Sequence, residues 1–384
     1  MSLILFLIGL VLIVVALYDG FETMVLPRRV TRVLRPARLY YRVVWRTWRF
    51  FSRLFPVGKR RSSFLSVFGP ISLLGLFASW VTALILGFAL IQRAISPALV
   101  GGDREHSFAD YLYFSGETFF TLGYGDVTPA LSAGRAFAVL EAGTGFGFMA
   151  VIIGYLPVLY QAFSARERTI ALLDARAGSP PTAYEGLTRL ARNEQIDALD
   201  RHLPEWERWA ADLLESHLSF PVLSYYRSQH DNQSWLAALA VLLDTSSVLL
   251  VIGNRNARYV AQMTYAMGRH AAVDLSLVFG LPPIPPAQLR VTPEELNRLL
   301  DQISPKSTAD ERAAMHARLA ELRSFYEPFV ASLSDYFLLT VPRFVSDKVT
   351  VDNWQTSAWT HRAPGIGQLP GPQAPAGAED QHFQ

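Results

Sequence analysis

The sequence predicts an all-α membrane protein with a soluble, mostly helical domain in its carboxyl-terminal half. The chain has 384 residues, of which 51% are hydrophobic, and its mean hydropathy is +0.20. Three apolar segments can cross a bilayer, by the rule that about 20 apolar residues are needed. Those segments are Leu3–Tyr18, Val67–Gln92 and Ala133–Phe163. After them, residues 164–360 carry the residue spacing of amphipathic helices.

The first apolar segment has two interpretations. It is uncharged and short, which also fits a secretory signal peptide. We favour a transmembrane helix within residues 1–25, because no basic region precedes the segment and no small-residue cleavage pattern lies before Asp19. The chain contains no cysteine, so disulfides and thiolate zinc sites are excluded.

The next segment, residues 26–66, is basic and orients the protein. Residues 28–61 contain twelve Lys and Arg side chains and no acidic residue. By the positive-inside rule this loop is cytoplasmic. The amino terminus is then outside, the second span runs outward and the third span returns. We therefore expect a multi-pass protein of the bacterial inner (plasma) membrane with its carboxyl-terminal domain in the cytoplasm.

The same basic segment has the pattern of a helix that lies in the membrane interface. Arginines share one helical stripe and aromatic residues a neighbouring one, which suits contact with anionic lipid headgroups. The two stripes are Arg42, Arg46, Arg49 and Arg53, and Tyr41, Trp45, Trp48 and Phe55. Arginine at every third position from Arg29 to Arg38 also suggests a voltage-sensor helix. We reject that alternative, because only one span precedes these arginines and Pro36 interrupts them.

A glycine-rich run, TLGYGDVTP at residues 121–129, lies between the second and third spans. Taken alone, it also fits a turn of a soluble protein. Its position between two spans favours an ion pathway. In a narrow pore a cation loses its water, and backbone carbonyls that point at one axis can replace it. Gly123 and Gly125 supply the backbone freedom that this arrangement of carbonyls needs. Thr121 can add a hydroxyl ligand, and Tyr124 would point away from the axis. The aromatic run just before it predicts a short helix whose carboxyl end directs partial negative charge toward a cation.

Residues 67–163 resemble the two-transmembrane bacterial potassium channels. The resemblance implies a pore module made of an outer helix, a pore helix, a selectivity filter and an inner helix. It implies K⁺ binding by the filter residues Thr121, Leu122, Gly123 and Tyr124, with Gly125 completing the filter. The family's supporting positions fall on Glu117, Asp126 and Arg135, and its inner-helix hinge on Gly145.

Two residues of this region depart from the family pattern. Leu122 stands where valine is more usual, and Phe120 where a small hydroxyl residue is common. Leu122 still offers its carbonyl, so we expect selectivity to be retained. Phe120 changes the chemistry just below the filter. The resemblance also implies that Glu117 and Asp126 approach each other behind the filter.

The third span contains one acidic residue and a cluster of glycines. Glu141 either has a functional role, as charged residues in membranes often do, or is a carboxyl hydrogen-bonded to the pore helix or a neighbouring subunit. We favour the second interpretation. Gly143, Gly145 and Gly147 either form a gating hinge or allow close helix packing, and both remain open.

The carboxyl-terminal half contains several helix signals. Leu203–Leu218 has apolar residues at helical spacing, and Thr292 is a hydroxyl N-cap followed by proline and glutamate. A further helix runs from Ala309 to about Phe337 and should be kinked or divided at Pro328. Residues 361–384 are rich in Pro, Gly, Ala and Gln, which predicts a disordered tail.

Ser234–Ile252 is apolar enough for a fourth span. We favour a buried soluble helix, because Asp244 near its centre is costly in lipid and an outward span would leave Arg255 and Arg258 outside. The polar and aromatic segment Glu215–Gln233 is either a helix junction or a partner surface. A lone histidine such as His217 more often belongs to the core or surface than to a metal site.

These observations together predict a homotetrameric K⁺ channel that is not an enzyme. No phosphate loop, dinucleotide motif or nucleophile–base pair is evident, and we expect no cofactor beyond the permeant K⁺ and no nucleic acid partner. The alternatives are a non-conducting tetrameric receptor or scaffold, and a potassium-transporter subunit. We also expect the cytoplasmic domain to regulate the pore.

Overall fold

The computed structural model describes residues 2–26, 35–96, 99–101, 107–178, 180–192, 199–229 and 233–345. The tail predicted at residues 361–384 lies outside this part of the chain. Two compact units are formed, Met1–Gln161 and Ala162–Gln384. Their boundary falls close to residues 163 and 164, where the pore region and the carboxyl-terminal domain were predicted to meet.

The first unit is almost entirely helical. Its elements are α1 (Ser2–Met24), α2 (Pro36–Ser52), α3 (Lys59–Ser66), α4 (Phe68–Ile95), β1 (Leu99–Val100), α5 (Phe108–Phe119), β2 (Thr128–Pro129) and the start of α6 (Ser132–Ala177). The two short strands pair antiparallel, with Val100 opposite Thr128. This order is the predicted one, with α4, α5 and α6 in the places of outer helix, pore helix and inner helix.

Helix α1 packs tightly on α4. A side chain at Gly9 would come within 2.5 Å of the carbonyl oxygen of Gly87, so the two glycines let the helix backbones meet. Close to the carboxyl end of α1, buried Asp19 accepts hydrogen bonds from the Trp80 indole of α4 at 2.8 Å and from the backbone N–H of Ala37 at 3.0 Å. Asp19 therefore joins the start of α2 to both α1 and α4. A carboxylate is favourable there because it lies at the amino-terminal end of α2.

Helix α2 folds against α4 through its aromatic residues. Trp45 packs edge-on to Phe68, and Trp48 stacks on Phe64 with ring centroids 4.6 Å apart while its indole donates to the Phe64 carbonyl. Trp45 is therefore buried against protein and Trp48 partly so, while the contact of this helix with the headgroup region stays a prediction. The outward face instead combines the predicted arginines with exposed apolar residues. Those exposed apolar residues are Leu39, Val43, Phe50 and Phe51.

Helix α6 is longer than a membrane span requires. Its 46 residues correspond to about 70 Å at 1.5 Å per residue, whereas the hydrocarbon core of a bilayer is about 30 Å thick. The part of α6 from Ala162 onward belongs to the second unit. The inner helix thus continues into the carboxyl-terminal domain as one element.

The second unit is also helical. Its elements after α6 are α7 (Ala183–Arg192), α8 (Leu199–Ser219), a 3-10 turn (Pro221–Tyr225), α9 (Trp235–Ile252), α10 (Arg255–Phe279), α11 (Pro293–Ile303), α12 (Ala309–Ser324) and α13 (Glu327–Phe337). The predicted N-cap is present, since Thr292 accepts from the Glu295 N–H and Glu295 from the Thr292 N–H. The predicted division at Pro328 is confirmed, because it lies in the first turn of α13.

Four helical segments in the described part of the chain are long and apolar enough to cross a membrane. They are Ser2–Met24, Lys59–Ile95, Ser132–Ala177 and Trp235–Ile252. The last is α9, and 78% of its most apolar window is buried inside the structure, against 22–44% for the others. It contacts α7, α10, α12 and α13. The structure thus supports the interpretation of α9 as a buried helix at the centre of the second unit.

Asp244 of α9 is buried inside the second unit, where charged and polar groups surround its carboxylate. The Asp244 carboxylate accepts from Arg290 at 2.6 Å and from Arg323 at 2.8 Å, and the Tyr326 hydroxyl also donates to it. Glu327 pairs with both arginines. Because each buried charge is paired and hydrogen-bonded, the network avoids the cost of an isolated ion in the core.

Candidate functional site

The pore helix α5 begins at a strong local signal and presents a buried face to its neighbours. Asp110 accepts from the Ser107 backbone N–H at 2.6 Å, which caps the first turn and places a negative charge at the positive helix end. On the buried side, the Tyr111 hydroxyl donates to the Ser96 carbonyl at 2.9 Å, at the end of α4. The helix is thereby anchored at its amino-terminal half, and its carboxyl end leads directly into residues 121–125.

Residues 121–125, here called the filter run, have φ angles that alternate in sign along the chain. Thr121, Gly123 and Gly125 have positive φ angles of 56°, 59° and 76°, while Leu122 and Tyr124 between them do not. Such alternation turns over every second peptide plane, so successive carbonyls can point to one side, whereas a regular strand sends them to opposite sides. Glycine adopts positive φ readily, but a β-branched residue such as Thr121 does so only at a cost of about 1–2 kcal/mol. A strained residue in this run is typical of a functional site.

Three hydrogen bonds fasten this run to the end of the pore helix. The backbone N–H groups of Thr121 and Leu122 donate to the carbonyls of Thr118 at 3.0 Å and Glu117 at 2.8 Å. The Tyr124 N–H donates to the Glu117 carboxylate at 3.2 Å. Glu117 is buried, so its side chain supports the loop from behind as well as from its own helix.

The remaining predicted support residues have partners of their own. Asp126 accepts from the Tyr113 hydroxyl at 3.1 Å, so each of the two filter carboxylates is bonded to a different group. Arg135 donates to the Pro129 carbonyl at 3.4 Å, and next to it the Gln92 amide of α4 donates to the Gly134 carbonyl at 2.9 Å. These bonds hold the start of α6 to β2 and α4. The closeness of Glu117 and Asp126 behind the filter stays a prediction.

Sequence reasoning did not identify several of these partners. Gln92 is a polar residue near the end of a long apolar helix, which is a signal that could have found it, whereas Tyr113 has no such signal among the polar residues of α5. Gly101 is a further residue that sequence reasoning did not identify. Its φ is 115°, and a side chain there would lie 1.9 Å from the Asp126 carbonyl oxygen. Only glycine therefore allows the strand β1 to pass this close to the end of the filter run.

Of the three inner-helix glycines, Gly145 makes a close contact. A side chain at Gly145 would lie 2.0 Å from the Phe119 carbonyl oxygen, at the last residue of the pore helix. Gly143 and Gly147 have no such neighbour among the residues that the structure describes. The structure thus supports the close-packing interpretation at Gly145. Helix α6 is continuous through this residue, and its role as a hinge stays a prediction.

Glu141 lies one turn before Gly145 and is fully buried. Its carboxyl is hydrogen-bonded to the hydroxyl of Ser115 on the pore helix. The prediction of a carboxyl bonded to the pore helix is thus confirmed.

The filter run itself is uncovered in the single chain. Tyr124 is 70% exposed and Leu122 is 56% exposed, although both are apolar enough to be buried in most proteins. Phe120, just below them, is also exposed. An exposed apolar surface of this kind marks a contact with another molecule.

A second polar cluster lies in the second unit, around Arg166 of α6. The Arg166 guanidinium is buried and donates to the carbonyls of Leu223 and Tyr226, each at 2.9 Å. It also lies 3.3 Å from Nε2 of His217, and its Nε pairs with Glu167 at 2.9 Å. The segment Glu215–Gln233 is therefore, in its described part, a helix junction held onto α6.

His217 in this cluster is neutral. Its Nδ1 lies 2.7 Å from the Leu213 carbonyl, which can only accept, so Nδ1 carries the hydrogen and Nε2 accepts from Arg166. Burial, and next the charge of Arg166, hold the pKa of His217 well below its usual value. His217 is a core residue, as a lone histidine was expected to be.

The fold and this loop define a membrane protein built around an ion-channel pore module. Residues 75–161 match the family model described as "Ion channel", which covers α4 from its second turn, α5, the filter run and α6 as far as the end of the first unit. The resemblance to two-transmembrane potassium channels is thereby confirmed. These residues are similar to an ion-channel pore domain.

Curated relatives are similar over parts of the chain. The Uncharacterized membrane protein YdjJ of Bacillus subtilis (strain 168) is 26% identical over 180 residues, 46% of this chain and 52% of the relative. Protein LctB of Geobacillus stearothermophilus is 37% identical over 90 residues, 21% of this chain and 66% of the relative. Two pore potassium channel c of Oryza sativa subsp. japonica is 44% identical over 48 residues, 12% of this chain and 10% of the relative.

The chain thus spans about half to two thirds of the bacterial relatives it matches. No solved structure matches it. The matches indicate a membrane protein.

Proposed function

We propose that the protein is a K⁺-selective channel that mediates passive potassium flux across the bacterial inner membrane. The observation that carries this proposal is the alternating backbone of Thr121, Gly123 and Gly125 within a Thr-x-Gly-Tyr-Gly run. It allows a row of carbonyl oxygens to face one side, which is the arrangement that replaces the water of a dehydrated K⁺ ion. The Leu122 carbonyl belongs to this row as much as a valine carbonyl would.

Four copies of the chain would surround one pore. Each chain supplies one filter run, and carbonyls from a single chain can cover only one side of an ion. The exposed side chains of Tyr124 and Leu122 support this arrangement, since neighbouring subunits would cover them. Glu117 holds each copy from behind, so that the carbonyls keep their positions when an ion leaves.

The expected orientation follows from charge. The basic segment at residues 28–61 is cytoplasmic by the positive-inside rule, so the filter lies on the outer side and the second unit in the cytoplasm. The exposed arginines and apolar residues of α2 would lie against anionic lipid headgroups of the inner leaflet. Ion flux then follows the electrochemical gradient without a cofactor.

The second unit would regulate the pore through α6. Arg166 is buried in a cluster of carbonyls contributed by the α8–α9 junction, and it lies on α6, whose earlier part contacts the pore helix at Phe119. A movement in that junction would therefore act on α6 directly. Truncation at about residue 170 should change the open probability, and an unchanged open probability would contradict the regulatory proposal.

The permeation proposal is tested by reconstituting the full chain in liposomes and measuring reversal potentials in K⁺ and Na⁺ gradients. Gly123→Ala should lower the preference for K⁺, because alanine disfavours a φ of 59°. Gly154→Ala is the matched control, since Gly154 lies in α6 with helical φ and open space around it. Equal permeability to K⁺ and Na⁺ in the unmodified protein would refute the proposal. An absence of any flux would favour the receptor or scaffold alternative.

A further inference from the structure

A buried carboxyl connects the three helices of the pore module. Glu141 of α6 is fully buried, and one of its oxygens is hydrogen-bonded to the Ser115 hydroxyl of α5. The same hydroxyl lies 2.7 Å from the carbonyl oxygen of Ile85 in α4. The second carboxyl oxygen of Glu141 is buried and has no hydrogen-bond partner among the residues that the structure describes.

The positions of the hydrogens in this chain follow from counting donors. A serine hydroxyl has one hydrogen, and a backbone carbonyl can only accept. If Ser115 donates to Ile85, its oxygen can only accept from Glu141, and Glu141 must then carry a proton. In the opposite arrangement, Glu141 is ionised and accepts the single hydrogen of the Ser115 hydroxyl. No hydrogen would then lie between the Ser115 oxygen and the Ile85 carbonyl oxygen.

The surroundings of Glu141 favour the first arrangement. An ionised carboxylate would have one hydrogen bond and one unpartnered oxygen, and the described residues place no cation in an ion pair with Glu141. Burying such a charge is far more costly than burying a neutral acid. We propose that Glu141 is a neutral carboxylic acid that donates a hydrogen bond to Ser115 and so positions the pore helix.

The position of this bond gives it a consequence for the filter. Helix α6 contacts α5 at two points one turn apart, at Glu141 with Ser115 and at Gly145 with the Phe119 backbone. Ser115 lies two residues before Glu117, whose carboxylate holds the Tyr124 N–H. Loss of the Glu141 bond would remove the tie between α6 and Ser115 and leave the contact of Ser115 with Ile85 of α4. The half of the pore helix that supports the filter would then be held less firmly. Glu141 is a positioning residue and does not touch the permeant ion.

The protonation state is tested by infrared difference spectroscopy on the reconstituted full chain at neutral pH. The spectrum of the unmodified protein minus that of Glu141→Gln should contain the C=O stretch of a protonated carboxyl, which a carboxylate lacks. Glu167→Gln is the control on the same helix, because Glu167 pairs with Arg166 and should lose a carboxylate band instead. A carboxylate band in the Glu141 difference spectrum would overturn the proposal. This measurement stands even if the protein does not conduct.

The positioning role rests on the proposed K⁺ channel function and is tested by the ratio of K⁺ to Na⁺ permeability. Glu141→Gln can still donate and should keep the ratio. Glu141→Leu and Ser115→Ala should each lower it by about threefold or more, because both remove the hydrogen bond between Glu141 and Ser115. The double variant should lower it no further than Ser115→Ala alone, which also removes the bond to Ile85. Ser79→Ala is the control, since that hydroxyl bonds only within α4. Additive losses, or a loss in Glu141→Gln equal to that in Glu141→Leu, would refute the role. If Glu141→Leu does not form tetramers, the positioning role is tested by the permeability ratios of the other two variants. Ser115→Ala should then have a lower ratio than Glu141→Gln.

Discussion

Replacement of Gly145 by alanine should destabilise the pore module more than the same change at its neighbours. The added carbon would lie 2.0 Å from the Phe119 carbonyl oxygen and 2.9 Å from its carbonyl carbon. Contacts under 3.0 Å do not occur for real Cβ atoms, so α6 and α5 must separate by about 1 Å. The obstacle is backbone and cannot move aside as a rotamer would. Over-packing of this kind costs about 1–3 kcal/mol.

Two glycines on the same helix provide the comparison. Gly143 and Gly147 have open space where a side chain would start, so alanine there should add only the helix propensity gain of about 1 kcal/mol. All three variants share that gain, and the difference between them therefore isolates the clash at Phe119. The measurement is the temperature at which the proposed tetramer dissociates after reconstitution, together with K⁺ flux.

Gly145→Ala should have the lowest dissociation temperature and reduced K⁺ flux, because the displaced pore helix carries the filter. Equal temperatures for the three variants would show that the reasoning from the Phe119 contact is wrong. A Gly145→Ala channel of unchanged stability but altered open probability would instead favour the hinge prediction.

Three further predictions concern charge. The pKa of His217 is held below its usual value of about 6.5, so as the pH falls the unfolded chain binds the extra proton before the folded chain does. The stability of the second unit should therefore fall as the pH drops below about 6.5. His217→Gln should flatten this pH dependence in thermal unfolding, and an unchanged slope would contradict the prediction. Asp244→Ala should cost about 3–5 kcal/mol in denaturant unfolding of the full chain, because it removes one of the two carboxylates that pair with buried Arg323, and a cost below about 1 kcal/mol would refute the network. Arg42→Gln with Arg46→Gln should weaken dependence on anionic lipid in a flux assay, and identical flux in neutral and anionic vesicles for the unmodified protein would exclude that contact.

Much of the pore module could be predicted from the sequence because its signals are local. The spans follow from runs of apolar residues, and the filter from a short run whose glycines supply positive φ. The helix start at Thr292 and the division at Pro328 were equally predictable, since capping and proline act within one turn. The stripes of α2 were also visible, but which stripe would contact protein was not. Trp45 and Trp48 pack on α3 and α4, which a helical wheel does not show.

The sequence by itself determined the class of protein, the order of its spans and the residues of the filter run. It did so because hydropathy, charge asymmetry and glycine placement are properties of short segments. Only the tertiary structure decided that Gly145 meets Phe119, that Glu141 bonds Ser115 and that Arg166 reaches the carbonyls beyond α8. The partners in these contacts are tens of residues apart in the chain. Their pairing depends on how whole helices pack, and no local pattern records that packing.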